Sequence, residues 1–373
     1  DRRGRRPLRP SLNIVRMEPK KYLLFASLAY AFPILRPLQE EIRRRGGEAA
    51  WFLEEGCPDL LEAGERRLRT VDEVLAYDPV AVFSPARYVP DFFPGVKVWV
   101  CHGYANRKRF EAVDDHFTIR GWFDIICSQG PSSTPTFRAL ERRHGHFRTY
   151  ETGWPKADLY FAPDMQRLPR NERPVILYSS TFTRGLTSAP LLAREIERLV
   201  AVRDWEWIFM FHPMLDPAVS ALYERIAAKY DNARYVGNTF DLEPMRRADA
   251  MLCDSSSIIL EFMFLDKPVV TFRNSHPGPY LLDVREVAEV EGTLERALKR
   301  PEALMEEVRA YTLYHEPHRD GLCSVRVLDA VDDFLAQGHV GLKSKPLNWL
   351  RKWKMRRKMR YYPLWERIKN RGK

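Results

Sequence analysis

Two histidines follow apolar runs that have the composition of buried strands. His102 comes after the run VKVWVC, and His212 comes after WIFMF. If both runs are strands of parallel sheets, each imidazole lies at the carboxyl end of a strand, where α/β proteins bind their ligands. There an imidazole can accept a proton from an attacking hydroxyl, and as a cation it can stabilise a phosphate. A histidine packed in a core or a loop is the alternative at each position, but the equivalent positions favour a catalytic pair.

Three consecutive hydroxyls, Ser255, Ser256 and Ser257, lie between a strand pattern that ends at Cys253 and the helical pattern SIILEFMFLDK. The first turn of a helix has free backbone N–H groups and the positive end of the helix dipole, which favour an anion. Serine hydroxyls add donors without blocking a phosphate. Capping of the helix is the alternative, but a cap needs only one serine. The triplet therefore predicts a binding site for a phosphate or diphosphate.

Two further loops carry polar or basic side chains after predicted strands. The loop SSTFTRG contains Thr181 and Arg184, and a guanidinium can donate a pair of hydrogen bonds to a phosphate. An ordinary polar turn is the alternative for this loop. The stretch HGYANRKRF contains Arg107 and Lys108, which form either a solvated basic loop or a positive rim for an anionic acceptor. We assign these two residues to the acceptor or polyol side.

Alternating strands and helices must position these loops, and the chain carries that alternation twice. Short apolar runs such as KYLLFA and AVFS alternate with helical segments such as AFPILRPLQEEIRR in the first part of the chain. The polar, proline-flanked stretch PRNERP is a break, after which the alternation starts again. This repetition predicts two α/β domains with doubly wound parallel sheets. The predicted segments are a basic leader (1–16), an acceptor-side domain (17–165), a donor-nucleotide domain with a returning helix (166–340) and a basic aromatic tail (341–373).

Composition argues against several classes of protein. Five cysteines without a Cys-x-x-Cys pair disfavour a disulfide framework or a zinc module, and they fit a reducing compartment. No run reaches the roughly 18 apolar residues that a membrane span needs. The formal charge of +10 is uneven, because residues 343–373 carry a net +12, residues 1–21 a net +6 and the remainder a net −8. Positive charge at the termini, and not in a central groove, favours a membrane surface over nucleic acid.

The order of the motifs resembles that of the CDP-glycerol glycerophosphotransferase family, which includes teichoic-acid primases and polymerases. In that family a strand ending in His-Gly precedes a Gly-x-Pro-x-x-Asp turn, a Thr-Phe-Arg-like loop, a His-Pro pair, an Asp-x-Ser-Ser segment and a late Asp-Gly. Between about Val98 and Leu335 this chain has, in the same order, CHG, GWPKAD, TFTR, FHP, DSSSIILEF and RDGLCSVRV. Each motif alone is weak, whereas the ordered set is specific.

The resemblance implies a GT-B fold, in which two Rossmann-like domains face a central cleft, and it implies that neither a cofactor nor a metal is required. It also implies a catalytic histidine pair, two diphosphate contacts with a supporting aspartate, and a late acceptor-side aspartate: His102, His212, Ser256, Ser257, Asp254 and Asp320. The chain departs from the family pattern at Tyr104, where a threonine is usual, and at Ser255, where an aromatic residue is usual.

Together these residues predict a transferase that moves a polyol phosphate from a CDP-activated donor to a hydroxyl of a membrane-linked glycan or lipid, with release of CMP, in cell-surface polymer synthesis. His102 would act as base, while His212 and Arg184 would stabilise charge on the transferred phosphoryl group. The predicted donor-binding set is Thr181, Arg184, Asp254, Ser255, Ser256, Ser257 and Glu261. Glu261 on the helix after the serines also suits the alternative enzyme class, a GT-B glycosyltransferase or nucleotide-sugar 2-epimerase that uses a UDP-sugar. A non-catalytic scaffold is a third interpretation, although it has no need of paired histidines.

The C-terminal tail combines tryptophans with basic residues. Trp349, Leu350 and Trp353 share one face of a predicted helix, and Met355 and Met359 lie on the other side. Aromatic and basic side chains suit the headgroup region of an anionic bilayer. The tail therefore predicts a peripheral enzyme on the cytoplasmic face of the cell membrane, where a lipid-linked acceptor is presented. A solvated tail and nucleic-acid binding are the alternatives.

Overall fold

The computed structural model describes residues 18–104, 115–166, 171–237 and 239–362. Within these ranges the first domain is built on a seven-stranded sheet in which all pairings are parallel. The strand order is β3-β2-β1-β4-β5-β6-β7. Its strands are β1 (Lys21–Ala26), β2 (Glu48–Leu53), β3 (Arg66–Leu68), β4 (Ala81–Ser84), β5 (Val96–Trp99), β6 (Ile125–Ser128) and β7 (Arg148–Glu151).

The second domain repeats this topology with a six-stranded parallel sheet in the order β10-β9-β8-β11-β12-β13. In both sheets the chain starts in the middle, winds to one edge and then returns to the other side of the first strand. This is the doubly wound Rossmann arrangement, and it confirms the predicted fold class. The strands are β8 (Val175–Tyr178), β9 (Glu206–Phe209), β10 (Ala233–Tyr235), β11 (Ala250–Cys253), β12 (Val269–Phe272) and β13 (Leu282–Val284).

Helices cover the sheets, so the central strands are buried on both faces and consist almost entirely of apolar residues. The first helix begins at Ala31 and ends at Arg44, just before Gly46, whose positive φ of 75° suits a helix end. The helices are α1 (Ala31–Arg44), α2 (Val71–Tyr77), α3 (Thr134–His144), α4 (Ala157–Phe161), α5 (Pro163–Gln166), α6 (Ala189–Val202), α7 (Pro217–Lys229), α8 (Glu243–Arg247), α9 (Ile258–Met263), α10 (Val290–Leu298), α11 (Glu302–His315), α12 (Cys323–Gln337) and α13 (Trp349–Lys358).

The returning helix α12 belongs to the first domain. It packs against α1 and contacts β5 and β6. Two ion pairs reinforce this packing: Lys20 Nζ lies 2.7 Å from Asp332, and Arg45 lies 2.8 Å from Asp329. The predicted segment 166–340 grouped this helix with the second domain. The structure differs from that grouping, because α12 packs against α1, β5 and β6 of the first domain.

The described part of the tail, residues 341–362, lies on the surface of the first domain. Met355 is buried in the apolar cluster of that domain, and Met359 packs against the same cluster. Arg356 makes two hydrogen bonds to Asp91, at 2.9 and 3.0 Å, and Lys345 Nζ lies 2.7 Å from Asp124. The methionine side of α13 thus has a protein partner. The exposed side carries Trp349, Leu350 and Trp353.

Among the helices of the described ranges, none has both the length and the apolar character required to cross a bilayer. The predicted basic leader, residues 1–16, lies outside the described residues, as do residues 363–373 of the tail.

The packing of α13 can be tested by removing its buried side chain. We expect Met355→Ala to lower the free energy of unfolding by about 2 kcal/mol, because it leaves a cavity in the core of the first domain. The control is Leu347→Ala, at a side chain that is 82% exposed, for which a change within about 0.5 kcal/mol is expected. Urea denaturation of the two variants measures both values. Equal, small losses in both would contradict the packing of this helix.

Candidate functional site

The first feature of the site is the topological switch point of the second sheet, between the adjacent strands β8 and β11. The carboxylate of Asp254, at the end of β11, is fully buried and holds the loop that follows β8. It accepts hydrogen bonds from Ser180 Oγ at 2.5 Å, from the Thr181 backbone N–H at 3.0 Å, and from the N–H and hydroxyl of Ser188 at 2.9 and 3.0 Å. Burial raises the pKa of Asp254, against the effect of these bonds. Asp254 therefore joins the two loops, which fits the supporting role that the resemblance implies.

The serine triplet follows directly. Ser255 is buried, and its hydroxyl accepts a hydrogen bond from the Ser275 backbone N–H at 2.9 Å, whereas Ser256 is half-buried and Ser257 is exposed. Helix α9 begins at Ile258 and has only six residues. The helix is shorter than the one that the sequence pattern predicts. Its dipole therefore favours an anion at the N-terminus less than the dipole of a long helix would. Ser257 at the N-cap position makes no side-chain capping bond. The capping alternative thus does not account for this residue, and the hydroxyls stay candidates for binding an anion.

A small cleft that is open to solvent lies beside the serines. Ser255 and Ser256 form one wall, and the loop after β12 forms another with Asn274, Ser275 and His276. Tyr280 closes the cleft and stacks on Tyr311, with ring centroids 3.5 Å apart. This loop was not among the predicted site residues. Its signal was the polar stretch RNSH directly after the apolar run PVVTF, the same arrangement that drew attention to the serines.

His212 lies after β9 and is exposed, next to the switch point. Its ring packs on Phe182, with centroids 4.2 Å apart. The Nδ1 atom accepts a hydrogen bond from the Met214 backbone N–H at 3.1 Å, so a neutral ring carries its proton on Nε2. In this tautomer His212 is a hydrogen-bond donor and not a base. Arg184 is exposed, two residues beyond Phe182 in the same loop.

His102 lies after β5 in the first domain and is exposed. The residue before it, Cys101, has a positive φ of 52°, which is uncommon for a residue with a side chain and typical of functional loops. Two hydrogen bonds hold the neighbouring carbonyls: the Trp154 indole N–H reaches the oxygen of Cys101 at 3.3 Å, and Gln129 Nε2 reaches that of Gly103 at 2.8 Å. Both histidines therefore lie at carboxyl ends of strands, one in each domain.

Glu261 lies at the junction of the domains. Its carboxylate accepts hydrogen bonds from Lys156 Nζ and from the Tyr160 hydroxyl, both at 2.5 Å. Lys156 and Tyr160 belong to the segment that leads out of the first domain, so Glu261 joins the two domains. The cleft beside the serines is lined by the other face of α9, through Ile259 and Leu260. The predicted role of Glu261 in donor binding stays a prediction.

Asp320 lies in the loop before α12 and pairs with Arg326, which donates to both of its carboxylate oxygens. These bonds lower the pKa of Asp320 to about 2. The carboxylate is about half-exposed, and its predicted acceptor-side role stays a prediction. Arg107 and Lys108 lie outside the described residues.

All five cysteines are free thiols, and four of them are buried. In the parts of the chain that the structure describes, no group of three or more His, Cys, Asp and Glu side chains is placed to hold a metal ion. The expectation that the reaction needs neither metal nor cofactor stays a prediction.

Comparison with protein families identifies the chain. The sequence profile of the family described as CDP-Glycerol:Poly(glycerophosphate) glycerophosphotransferase matches residues 105–332, more than half of the 373 residues. The chain belongs to this family. It is therefore a transferase of the CDP-glycerol glycerophosphotransferase type, as the order of its motifs predicted. A comparison with curated individual proteins found no match.

Solved structures similar to this family member include two kinds of enzyme. The wall teichoic acid polymerase TagF shares 16% identity at a TM-score of 0.60, over 85% of this chain and 89% of that chain. MnaA of S. aureus, solved with UDP, shares 14% identity at a TM-score of 0.59, over 85% and 97%. The UDP-GlcNAc 2-epimerase of Neisseria meningitidis shares 11% identity at a TM-score of 0.55, over 84% and 100%. At these identities the likeness extends to the fold, which is the GT-B arrangement.

The geometry of the serine turn leads to a prediction about stability. We expect Ser257→Ala to change the free energy of unfolding by less than about 0.5 kcal/mol, because no capping bond is lost. The matched control is Thr70→Ala at the start of α2, where the threonine hydroxyl accepts a capping bond from the Glu73 N–H at 3.2 Å. Loss of that cap costs about 1 kcal/mol. Thermal or urea denaturation compares the two, and a larger loss for Ser257→Ala would restore the capping interpretation.

Proposed function

We propose that the protein transfers a polyol phosphate of the glycerol phosphate type from a CDP-activated donor to a hydroxyl of a membrane-linked glycan or lipid, releasing CMP. The product would be part of a cell-surface polymer. Membership of the glycerophosphotransferase family supports this reaction class. The observation that carries the proposal is the arrangement at the switch point, where Asp254 holds the loop of Thr181 and Arg184 against the serine turn.

The donor diphosphate is proposed to bind between these two loops. The oxygens of Asp254 are occupied by protein donors, so this residue organises the loops and does not itself contact the diphosphate. Ser256 and Ser257 are accessible and can donate their hydroxyl protons to phosphate oxygens. Arg184 is exposed in the facing loop and can supply a charged pair of donors. Hydroxyls and a guanidinium offer a suitable set of partners for a diphosphate.

The chemical step is a transfer of a phosphoryl group between two oxygens. His102 takes the proton of the acceptor hydroxyl, whose oxygen attacks the phosphorus that bears the polyol. A new P–O bond forms while the bond between this phosphorus and the bridging oxygen breaks, and the bridging oxygen leaves with CMP. The Nε2–H of His212 donates to an oxygen of the transferred group, where charge develops in the transition state. The Nδ1 bond to Met214 supports this division of roles, because it leaves the proton of neutral His212 on Nε2.

The released nucleotide tests the proposal. The full chain is incubated with CDP-glycerol, other CDP-polyols and UDP-sugars, together with lipid-linked glycan acceptors, and the nucleotides are separated by chromatography. We expect acceptor-dependent release of CMP. His102→Ala and His212→Ala should each lower turnover about 100-fold or more, the scale for a positioned acid–base group. His339→Ala is the control, at a histidine that pairs with Asp124. Release of UDP, or conversion of a UDP-sugar, would instead support the glycosyltransferase or epimerase alternative.

We also infer that the exposed face of α13 docks the enzyme on an anionic membrane, where a lipid-linked acceptor would be presented. Trp349, Leu350 and Trp353 are 70%, 53% and 51% exposed, although the opposite face of the helix is packed on the protein. Two basic side chains adjacent to them in sequence, Arg351 and Lys354, are also exposed. Each basic side chain near an anionic surface contributes about 1 kcal/mol of attraction, and the aromatic side chains suit the interfacial region.

Docking is tested with vesicles. A variant with Trp349→Ser, Leu350→Ser and Trp353→Ser keeps the buried methionine face, so it should stay folded. We expect its co-sedimentation with anionic vesicles to weaken about 10-fold or more, since three apolar side chains no longer enter the interface. The matched control is Leu191→Ser with Val202→Ser, at exposed apolar side chains of α6 in the second domain. Equal binding by both variants, or equal binding to neutral and anionic vesicles, would refute the inference.

A further inference from the structure

Glu316 is a fully buried carboxyl in the segment that leads from α11 to α12. Here the chain crosses from the second domain, where α11 packs against α9, back to the first domain. The carboxylate accepts three hydrogen bonds: from the Tyr104 hydroxyl at 2.7 Å, from the Trp154 N–H at 2.8 Å and from the His318 N–H at 3.1 Å. Trp154 lies where the chain first leaves the first domain. The Glu316 carboxyl therefore links three segments. These are the two segments in which the chain passes between the domains, at Trp154 and at Glu316 itself, and the loop that contains His102.

Tyr104 connects that loop to the second domain. It lies two residues after His102, and its ring packs against Trp154, Phe264 and His315, with centroid distances of 5.3, 5.7 and 5.9 Å. Phe264 directly follows α9, the helix that begins at the serine turn. Trp154 and Gln129 thus fix the segment around His102 to the first domain. Tyr104 connects the same segment to the second domain through its contact with Phe264. The family usually has a threonine at this position, which is too short for these contacts.

We propose that Glu316 and Tyr104 are a positioning pair, which makes the placement of His102 depend on the relative orientation of the two domains. The proposal rests on the proposed function in one respect, the role of His102 as the base. Neither member of the pair touches the reacting atoms. Both act through the backbone of the loop, so their loss should affect turnover more than donor binding, which takes place at the loops joined by Asp254.

The charge of this pair depends on pH. Burial raises the pKa of Glu316 to about 8, with a further contribution from the carboxylate of Asp158. Burial raises the pKa of Tyr104 well above its usual value and lowers that of His315 to about 4, so both are neutral when Glu316 titrates. The other titratable or charged groups around the pair are His318, Arg319, Cys323, Glu151 and Glu261. Above pH 8 the junction therefore contains an additional buried negative charge near Asp158.

This titration has a defined sign. Between the ordinary glutamate pKa, about 4.5, and the raised value of about 8, the folded protein retains a proton that the unfolded chain has lost. Folding stability from this group therefore falls as pH rises through that range and levels off above it. Glu316→Gln, which resembles the protonated acid, abolishes the effect. We expect the melting temperature of the wild type, relative to Glu316→Gln, to decrease from pH 5 to 8 and then to stay constant.

The kinetic test compares Glu316→Ala, Glu316→Gln and Tyr104→Phe in the full chain, with CDP-glycerol as donor and CMP release as readout. Glu316→Ala and Tyr104→Phe should lower kcat about 10-fold or more through displacement of His102, with the donor KM changed by less than about 2-fold. Glu316→Gln should retain most of the activity at pH 7, because its uncharged amide keeps an acceptor oxygen for the Tyr104 hydroxyl and the Trp154 N–H. The matched control is Tyr150→Phe, which removes another tyrosine–carboxylate bond of the same domain, to Asp333 at 2.6 Å. It should leave kcat and its pH profile unchanged.

A second measurement does not depend on turnover. Hydrogen–deuterium exchange should be faster in residues 100–104 and 153–156 of Glu316→Ala and Tyr104→Phe than in the wild type and Tyr150→Phe. If wild-type protein released no CMP from any donor, the proposed function would fail, and exchange would still decide whether the pair holds the loop. Unchanged exchange in both variants, or unchanged kcat in Tyr104→Phe and Glu316→Ala, would overturn the positioning pair.

Discussion

The parallel arrangement of both sheets is the constraint on which the rest of the molecule depends. Because neighbouring strands run in the same direction, all the loops at one edge of a sheet follow carboxyl ends, and helices must cover both faces. His102 and His212 are brought to such edges by strands of mainly apolar side chains that have no chemical role. The same constraint opens a crevice between β8 and β11, where the strand order reverses. The loops of Thr181 and Ser255 meet there because no crossover helix fills the space between them.

A crevice with two adjacent loops needs an interaction that fixes their spacing. Asp254 supplies it, since a buried carboxylate must be satisfied by donors and here takes them from the facing loop. The cost of burying the charge is offset by the hydrogen bonds that the carboxylate accepts from Ser180, Thr181 and Ser188. Of the serines that follow it, Ser255 is buried, Ser256 is half-buried and Ser257 is exposed. The acid of the DSSS motif thus has a structural task, and ligand binding by the serines that follow it stays a prediction.

The two domains are joined by more than a linker. An apolar cluster extends across both, and Glu261, Lys156 and Tyr160 add a polar contact at the junction. The chain crosses twice, and α12 and α13 return to the first domain. The last two helices therefore pack on the first domain, although the second domain precedes them in the chain. The two crossing segments meet at Glu316, which also accepts a hydrogen bond from Tyr104 in the loop that contains His102.

The sequence by itself determined most strands, most helices, the doubly wound class and the family, because these depend on local periodicity and on the order of short motifs. It also placed His102, His212 and the serines after strands. It did not anticipate the partners of Glu261, the cleft loop at Asn274 to Tyr280, the domain to which α12 belongs or the buried side of α13. Each of these is a contact between residues far apart in the chain, such as the 212 positions between Tyr104 and Glu316. Only the tertiary structure decides such contacts. Residue types and their spacing along the chain do not specify which distant surface will cover a given side chain and exclude water from it.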